Sequence, residues 1–293
     1  MASMSDGFRV GHWTDESVPT GCTVVLPPPG NVSSCDVRGM APGSRELAAL
    51  APHMPRSEVH AIVLSGGSAF GLAAADGAMR WCAERGAGFR AGPVVIPIVP
   101  AAVVFDFAAA PGMRRPGPEE GYAACEAAIE GEVARGRVGA GTGASIGKWA
   151  GLDHRGPGGL GVASAEQDDV RVCALAVVNA FGDIVGDDGT VLAGTRAARP
   201  SLRDVEAASW SENTVLAVVT TTATIGKREA AFVAARGSDG ITRAVRPAHT
   251  HYDGDVVFAV AAPGERPATR REVDLLGMLA ADAVASAVRD AVR

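Results

Sequence analysis

The stretch "SENTVLAVVTTTATIGKREA", residues 211–230, joins a polar cluster to an apolar run, a string of threonines and a basic helix start. The run 215–221 is apolar and β-branched, which is typical of a strand inside a sheet. Asn213 is a residue that often ends a loop, and Thr214 is one that often opens a strand. On these local grounds we interpret the Asn213-Thr214 bond as an ordinary junction between a loop and a strand. Whether this bond has a further role depends on the rest of the chain.

Strand-like and helix-like segments alternate along the whole chain. Strands are predicted for the β-branched runs 22–26, 59–64, 94–99, 172–178, 215–221 and 256–262. Helices are predicted for 69–86, 118–136, 227–237 and 271–292. No internal repeat or low-complexity linker divides the chain, so we expect one α/β domain over residues 1–293. Periodicity does not choose among layered architectures.

The last predicted helix has one apolar face. Six apolar side chains recur there at helical spacing: Val273, Leu276, Ala280, Val284, Val288 and Ala291. Such a stripe predicts packing against a core rather than a surface for a partner. The acidic runs 166–169 and 186–189 lie between apolar runs and predict solvated turns.

Composition excludes several classes of protein. The chain has 293 residues with 47% hydrophobic but only 5% aromatic residues, which predicts a large aliphatic core. A net charge of −6 without a basic stripe argues against nucleic-acid binding. The start "MASMSDGFRVGHW" has no apolar signal segment, and no uninterrupted apolar run is long enough for a membrane span. We therefore expect a soluble, cytoplasmic protein with neither nucleic acid nor membrane as a partner.

The cysteines do not form a disulfide or zinc pattern. They are odd in number, scattered and without CxxC spacing: Cys22, Cys35, Cys82, Cys125 and Cys173. This usage predicts buried free thiols in a reducing compartment.

Two glycine-rich segments are candidate binding loops. In "VGAGTGASIGK" (138–148), the loose GxGxx(G/A) match follows what reads as a helix end rather than a strand, and the GxxxxGK(S/T) pattern fails. We expect a tight turn there that ends at Lys148, not a nucleotide site. In "SGGSAFG" (65–71), no glycine follows Ser68 by two residues, so GxSxG is absent. Ser68 is expected to cap a helix rather than act as a nucleophile.

The stretch "HTHYDGDVVF" (249–258) admits three interpretations. In an extended chain His249, His251, Asp253 and Asp255 share one face, because side chains alternate with period two. They would then form a metal site, or the two acidic residues would orient a catalytic centre. The third interpretation is an Asp-Gly turn flanked by polar residues. Adjacent residues of one strand seldom supply every ligand of one ion, so we expect no metal.

Nine blocks in the same order from end to end carry a specific resemblance. They are "VGHWTD", "TGCTVVL", "CDVRGMAPGSRE", "VHAIVLSGGSAFGLAAADGAMR", "PIVPAAVVFD", "GAGTGASIGK", "ALAVVNAFGDI", "NTVLAVVTT" and "DGDVVFAVA". Together they resemble the self-cleaving N-terminal-nucleophile hydrolases that include the aminopeptidase DmpA, the β-peptidyl aminopeptidases and nylon-oligomer hydrolase. The resemblance implies an αββα sandwich, a fold similar to that of ornithine acetyltransferases. It also implies self-processing into an α fragment, 1–213, and a β fragment, 214–293.

The resemblance gives the Asn213-Thr214 bond a function. Thr214 matches the nucleophile that begins the β fragment in that family. A threonine hydroxyl needs an adjacent base, and an α-amine has an ordinary pKa of roughly 7.7–8.0, near the working pH. Cleavage after Asn213 would therefore supply nucleophile and base from one residue.

Further roles are carried over position by position. Asp253 and Asp255 match the acidic pair of the nylon-hydrolase branch, and Asn179 matches an oxyanion-stabilising asparagine. Lys148 matches a lysine of that pocket. Alternatives remain: a turn for Asn179 and a solvated charge for Lys148.

Phe105, Ser65 and Gly66 are assigned to the substrate pocket. Phe105 falls where relatives can carry a tyrosine, so a catalytic-site hydroxyl is missing from this sequence.

The expected activity is hydrolysis of amide bonds through an acyl-enzyme, without a cofactor. The substrate would be a small peptide or amide oligomer, cut as by a nylon-oligomer endo-amidase. The alternative is an aminopeptidase that releases D- or β-amino acids. A non-catalytic small-molecule binder and an acyl transferase are more distant alternatives. The resemblance also implies a homo-tetramer or larger assembly.

Overall fold

The computed structural model describes residues 3–107, 114–198, 213–264 and 266–293. Ser211 and Glu212 of the opening stretch lie outside these residues. The strands before residue 107 are β1 (Arg9–Asp15), β2 (Thr20–Leu26), β3 (Val32–Gly39), β4 (Ser44–Arg45), β5 (Ile62–Ser65), β6 (Phe89–Ala91), β7 (Val94–Ile96) and β8 (Ala101–Val103). The later strands are β9 (Ser145–Ile146), β10 (Gly156–Pro157), β11 (Gly159–Gln167), β12 (Val170–Asn179), β13 (Asp183–Val185), β14 (Val191–Ala193), β15 (Thr214–Thr221), β16 (Val245–Arg246) and β17 (Gly254–Ala261). The α-helices are α1 (Ala74–Glu84), α2 (Pro118–Glu126), α3 (Lys227–Ala244) and α4 (Arg270–Asp290).

Two five-stranded sheets form the centre of the fold. The first has the strand order β1-β2-β5-β8-β4, and the second has the order β11-β12-β15-β17-β3. Side chains from the inner faces of both sheets, such as Leu64 and Leu216, share one buried core. The pair α1 and α2 covers the outer face of the first sheet, and α3 and α4 cover that of the second. The predicted αββα sandwich is confirmed.

The topology of the second sheet brings distant segments to one edge. β15 and β17 are parallel, and α3 connects them across the sheet, as a parallel pair requires. Both strands therefore begin at the same edge. β12 is antiparallel to β15, so it ends there, with Asn179 opposite Thr214. The residues at this edge are Asn179, Thr214, the first residues of β17 and those that immediately precede β17.

The sequence located most of the central elements but not all of their boundaries. The predicted helix 118–136 is wrong beyond Glu126, because the N–H and C=O of Ile129 bond to Val10 on β1 instead of continuing the helix. The predicted helix 69–86 begins as a 3₁₀ helix, Ser68–Ala73, and becomes α-helical only at Ala74.

Five strands of the sandwich were not predicted: β1, β3, β4, β8 and β11. β3 and β11 lie at the edges of the second sheet and contain polar residues and glycine, so they lack a continuous apolar run. The acidic runs 166–169 and 186–189 do lie at exposed turns, as expected.

Helix α4 packs as the apolar stripe predicted. Five of the six stripe residues are buried under the second sheet, and Val273 packs at the margin of that core. Thr269 caps the helix: its hydroxyl accepts the N–H of Glu272, while the Glu272 carboxylate accepts the N–H of Thr269. The cysteines are free thiols, four of them buried and Cys35 partly buried. None of the described helices is long and apolar enough to cross a bilayer.

The inter-sheet core should carry much of the stability. Leu216 is fully buried between the sheets, so Leu216→Ala should lower the free energy of unfolding by about 2–5 kcal/mol, through lost transfer free energy and a cavity. Urea denaturation should be measured in protein that also carries Thr214→Ala, so that the expected self-cleavage does not break the chain. Met278, exposed on α4, is the control, and Met278→Ala should change stability by less than about 0.5 kcal/mol. Equal effects of the two substitutions would contradict this packing.

Candidate active site

Thr214 begins β15 with its hydroxyl against the carbonyl of the preceding residue. The hydroxyl donates to the carbonyl oxygen of Asn213, and Thr214 is only 5% exposed. The N–H of Gly254, the first residue of β17, donates to the same oxygen at 3.1 Å. The carbonyl of the Asn213-Thr214 bond thus lies between a hydroxyl and a backbone donor. Its oxygen is polarised by both.

Strand alternation separates the site into two sides. Thr214 lies on the face of β15 that also presents Leu216 to the first sheet, and Asn179 lies on the same face of β12. Asp255 lies on the opposite face of its strand, with Val257, toward α3 and α4. We call these the hydroxyl side and the carboxylate side. The two sides meet at the start of β15.

On the hydroxyl side, a buried lysine orients Asn179. The ammonium nitrogen of Lys148 lies 3.0 Å from Asn179 Oδ1 and 3.1 Å from its backbone oxygen, and Lys148 is fully buried. The N–H of Ser145 donates to Oδ1 at 2.9 Å. Because these partners are donors, Oδ1 is fixed as the acceptor and Nδ2 as the donor. The solvated-charge interpretation of Lys148 is wrong.

Phe105 contributes its backbone to this side. Its carbonyl oxygen accepts Asn179 Nδ2 at 3.0 Å, and its ring stacks edge-to-face on Phe107 with centroids 5.0 Å apart. The position thus supports the Asn179 amide through the main chain, although its side chain carries no hydroxyl. Phe105 extends from the first sheet, so this bond also links the two sheets at the site.

On the carboxylate side, Asp253 is buried with a neighbouring charge. Oδ2 accepts the N–H of Thr250 at 2.8 Å and its hydroxyl at 2.7 Å. Burial and the Asp255 charge raise the pKa of Asp253 and the Thr250 donors lower it, and the net result is a pKa of about 6. A carboxyl with a pKa near 6 can exchange a proton near neutral pH.

Asp255 is bonded at both of its oxygens. Oδ1 accepts the N–H of Val215 at 2.6 Å, and Oδ2 lies 2.6 Å from Nδ1 of His249. The other ring nitrogen of His249 lies 3.1 Å from the carbonyl oxygen of Ser238 on α3. Asp255 therefore binds the main chain at the residue after Thr214 through one oxygen, and His249 contacts its other oxygen.

Comparison with known proteins identifies the family of this chain. The sequence model of peptidase family S58 matches residues 5–293. The chain belongs to peptidase family S58. It shares 41% identity with an uncharacterised aminopeptidase of Mycobacterium bovis, over 98% of this chain and 92% of the relative. It shares 33% identity with a 6-aminohexanoate-oligomer endohydrolase of Paenarthrobacter ureafaciens, over 92% of this chain and 74% of the relative.

A solved structure shows the same fold for the S58 chain. The L-aminopeptidase D-Ala-esterase/amidase of Ochrobactrum anthropi, described as a variant of the Ntn hydrolase fold, superimposes with a TM-score of 0.73. The match covers 99% of this chain and 86% of the other at 18% identity. The predicted resemblance is confirmed, and the S58 protein is a hydrolase with the N-terminal-nucleophile hydrolase fold.

The segment 65–68 of the S58 protein lies beside Asp106. Ser65 is buried and its hydroxyl donates to the Gly66 carbonyl oxygen at 3.0 Å. Asp106 Oδ1 accepts the N–H of Gly67. A Cβ at Gly66 would lie only 2.1 Å from the other carboxylate oxygen, Asp106 Oδ2. Ser65 and Gly66 thus pack beside Asp106, next in the chain to Phe105. The expected cap at Ser68 is wrong: Gly67 occupies the cap position, and no side-chain cap bond forms.

The glycine loop 138–148 and the stretch 249–258 of the S58 protein do not have the structures that their candidate motifs require. Residues 127–138 are not helical, so the expected helix end before the glycine loop is wrong, but no strand precedes Gly139–Gly141 either. Around 249–258, the strand begins only at Gly254, and His251 is exposed in a turn. The four side chains do not share a strand face. Among the described residues, no three His, Cys, Asp or Glu side chains are arranged to hold a metal.

Sequence reasoning missed the partners that position these groups. Thr250, the N–H of Gly254 and the carbonyl of Phe105 act through contacts that no sequence motif encodes. His249 was considered only as a metal ligand. Its spacing of six residues from Asp255 was the available signal, since a turn between them brings the two side chains together.

The raised pKa of Asp253 should make stability depend on pH. The proton on Asp253 contributes stability that is fully present below the ordinary pKa of 3.8 and is lost as pH rises through about 6. In Thr214→Ala protein, Asp253→Asn should remove this dependence. Its stability relative to the parent should rise by about 1–3 kcal/mol between pH 4 and pH 7.5.

Urea midpoints at several pH values measure this effect. Asp274→Asn, at an exposed position of α4, is the matched control and should show no such trend. A pH-independent difference between Asp253→Asn and its parent would contradict the raised pKa.

Proposed function

We propose that the protein cuts itself between Asn213 and Thr214 and then hydrolyses amide bonds with Thr214 as an N-terminal nucleophile. The products of self-cleavage are fragments 1–213 and 214–293. They stay associated, because β15 lies between β12 and β17 in the second sheet. The observation that carries the proposal is the Thr214 hydroxyl against the carbonyl of Asn213, whose oxygen also accepts the Gly254 N–H.

Self-cleavage proceeds as an acyl shift followed by hydrolysis. Thr214 Oγ1 forms a bond to the carbonyl carbon of Asn213, and the Gly254 N–H stabilises the negative oxygen that develops. The C–N bond then breaks, and the hydroxyl proton passes to the departing nitrogen, which leaves an ester and an amine. Water adds to the ester carbonyl and the C–O bond breaks. Thr214 regains its hydroxyl proton, and Asn213 ends as a carboxylate.

Turnover reuses the same groups. The new α-amine of Thr214, with an ordinary pKa of roughly 7.7–8.0, accepts the hydroxyl proton as Oγ1 attacks the substrate carbonyl. Asn179 Nδ2, held in orientation by Lys148, donates to the developing oxyanion. Loss of one such donor typically lowers the rate ~10²–10³-fold. Asp253 and Asp255 hold the amine end of the strand from the carboxylate side.

We propose endo-hydrolysis of small amide oligomers as the activity. An aminopeptidase recognises a substrate ammonium, usually through a carboxylate that does not serve the nucleophile. Here both oxygens of Asp255 and Oδ2 of Asp253 are already bonded within the protein. The Lys148 ammonium nearby repels a second cation. The named activity of the Paenarthrobacter relative agrees with this substrate class.

Aminopeptidase action is the second candidate. It is favoured by the 41% identity to the mycobacterial relative, whose name states that activity. The expected tetramer or larger assembly stays a prediction, which the mass of the native protein in solution tests. The two fragments should run as one particle in that measurement.

The identity of the nucleophile can be tested by two substitutions at one position. Thr214→Ala should abolish self-cleavage and turnover, because it removes the attacking oxygen, whereas Thr214→Ser should keep a fraction of both. Denaturing gels and N-terminal sequencing follow cleavage, and the wild type should show a second N-terminus that reads TVLAVV. An active, cleaved Ala variant would transfer the role to another group, with Ser68 tested next.

Substrate choice can be tested by blocking the substrate amine. A short 6-aminohexanoate oligomer and its N-acetylated form should be cut at comparable rates by an endo-hydrolase, since neither needs a cation site. Chromatography of the products measures both rates. Complete loss of activity on acetylation would assign the protein to the aminopeptidases instead.

A further inference from the structure

His249 is placed between two hydrogen-bond acceptors. Nδ1 lies 2.6 Å from the Asp255 carboxylate, and Nε2 lies 3.1 Å from the carbonyl oxygen of Ser238. A neutral imidazole has one N–H and one lone pair, so one of its nitrogens would face an acceptor without a proton between them. With Asp255 ionised, only the imidazolium, which has two N–H groups, donates at both contacts. The geometry selects the charged form.

The backbone keeps the ring in this place. His249 has a positive φ of 53°, an uncommon conformation for a residue other than glycine, in the turn that precedes β17. Its side chain is mostly buried, with 14% exposed. Its acceptor Ser238 belongs to α3, the helix that connects β15 to β17. The histidine therefore ties the start of β17 to that helix.

The charges around the ring come from three elements. Asp255 faces it from β17, and Arg38 of β3 lies opposite Asp255 in the sheet register. The Arg38 guanidinium is itself paired with Asp36 and with Asp239 of α3, at 2.9 and 2.8 Å. Burial lowers the pKa of His249, but the bond and charge of Asp255 and the Ser238 carbonyl outweigh burial and Arg38, so the pKa is raised.

The two carboxyl groups of the site thereby acquire different environments. Asp255 receives N–H donors at both oxygens, one of them from the imidazolium. Asp253 has the Thr250 donors but no cationic partner among its described hydrogen bonds, and it lies beside the Asp255 charge. Environments that differ in this way assign different protonation states to a pair of acids.

We infer that His249 is a positioning residue that acts as a permanent imidazolium: it keeps Asp255 anionic against the Val215 N–H and leaves Asp253 as the carboxyl that exchanges a proton during the reaction. The inference rests on the proposed function for the reaction itself. The charge of His249 does not rest on it, and can be measured separately.

The charge state is tested in uncut protein. Nitrogen NMR of ¹⁵N-histidine-labelled Thr214→Ala protein should show both ring nitrogens of His249 protonated at pH 7.5, with the signals assigned by their loss in the added variant His249→Gln. A neutral His249 at this pH overturns the inference. The result stands whether or not Thr214 proves to be the nucleophile, so it separates failure of this inference from failure of the proposed function.

The role is tested by the pH profile of His249→Gln in otherwise wild-type protein. Glutamine can donate to Asp255 but carries no charge, so the pair loses a cation and binds a proton more tightly. The acid limb of kcat should move up by about 1 pH unit, with KM unchanged and most activity restored above pH 8.5. His251→Gln, at the exposed histidine of the same turn, should match the wild type. An unshifted acid limb, with or without a uniform loss of activity, overturns the inference.

Discussion

The parallel pairing of β15 with β17 is the constraint on which the site depends. A parallel pair needs a crossover, α3 provides it, and both strands consequently begin at one edge of the second sheet. The antiparallel β12 ends at that edge. Residues far apart in the chain thus meet without a loop of special shape. A shift of β15 by one residue would turn Thr214 from the hydroxyl side to the carboxylate side and away from Asn179.

Burial of so many polar groups requires that each has a partner. Lys148 is satisfied by the two oxygens of Asn179, and Asp255 by His249 and the Val215 N–H. An unpaired charge in these positions would cost several kcal/mol. The same pairing that makes burial tolerable also fixes orientation: Asn179 presents a donor, and Asp255 holds the main chain next to Thr214. Positioning and stability therefore have a common origin in this site.

The sequence predicted the parts of this fold that repeat or match a family, and missed those set by tertiary contacts. Apolar runs located β12, β15 and β17, and the helical stripe located α4. The helix after Pro118 was predicted too long, because the competing bonds between Ile129 and Val10 join residues over a hundred positions apart. Thr214, Asn179 and Lys148 were recognisable from the resemblance and do lie together. The part played by His249 depends on α3, and no local pattern carries that information.

The proposed reaction requires that the hydroxyl oxygen of Thr214 carries the acyl group. The most direct measurement is to mix the protein with a slowly hydrolysed acyl donor, quench in acid and map the adduct by mass spectrometry of peptides. We expect one acyl group on a peptide that begins at Thr214, attached to its side-chain oxygen, and none on Thr214→Ala protein. An adduct on another residue such as Ser68, or turnover without any adduct and without a new N-terminus at Thr214, would contradict it.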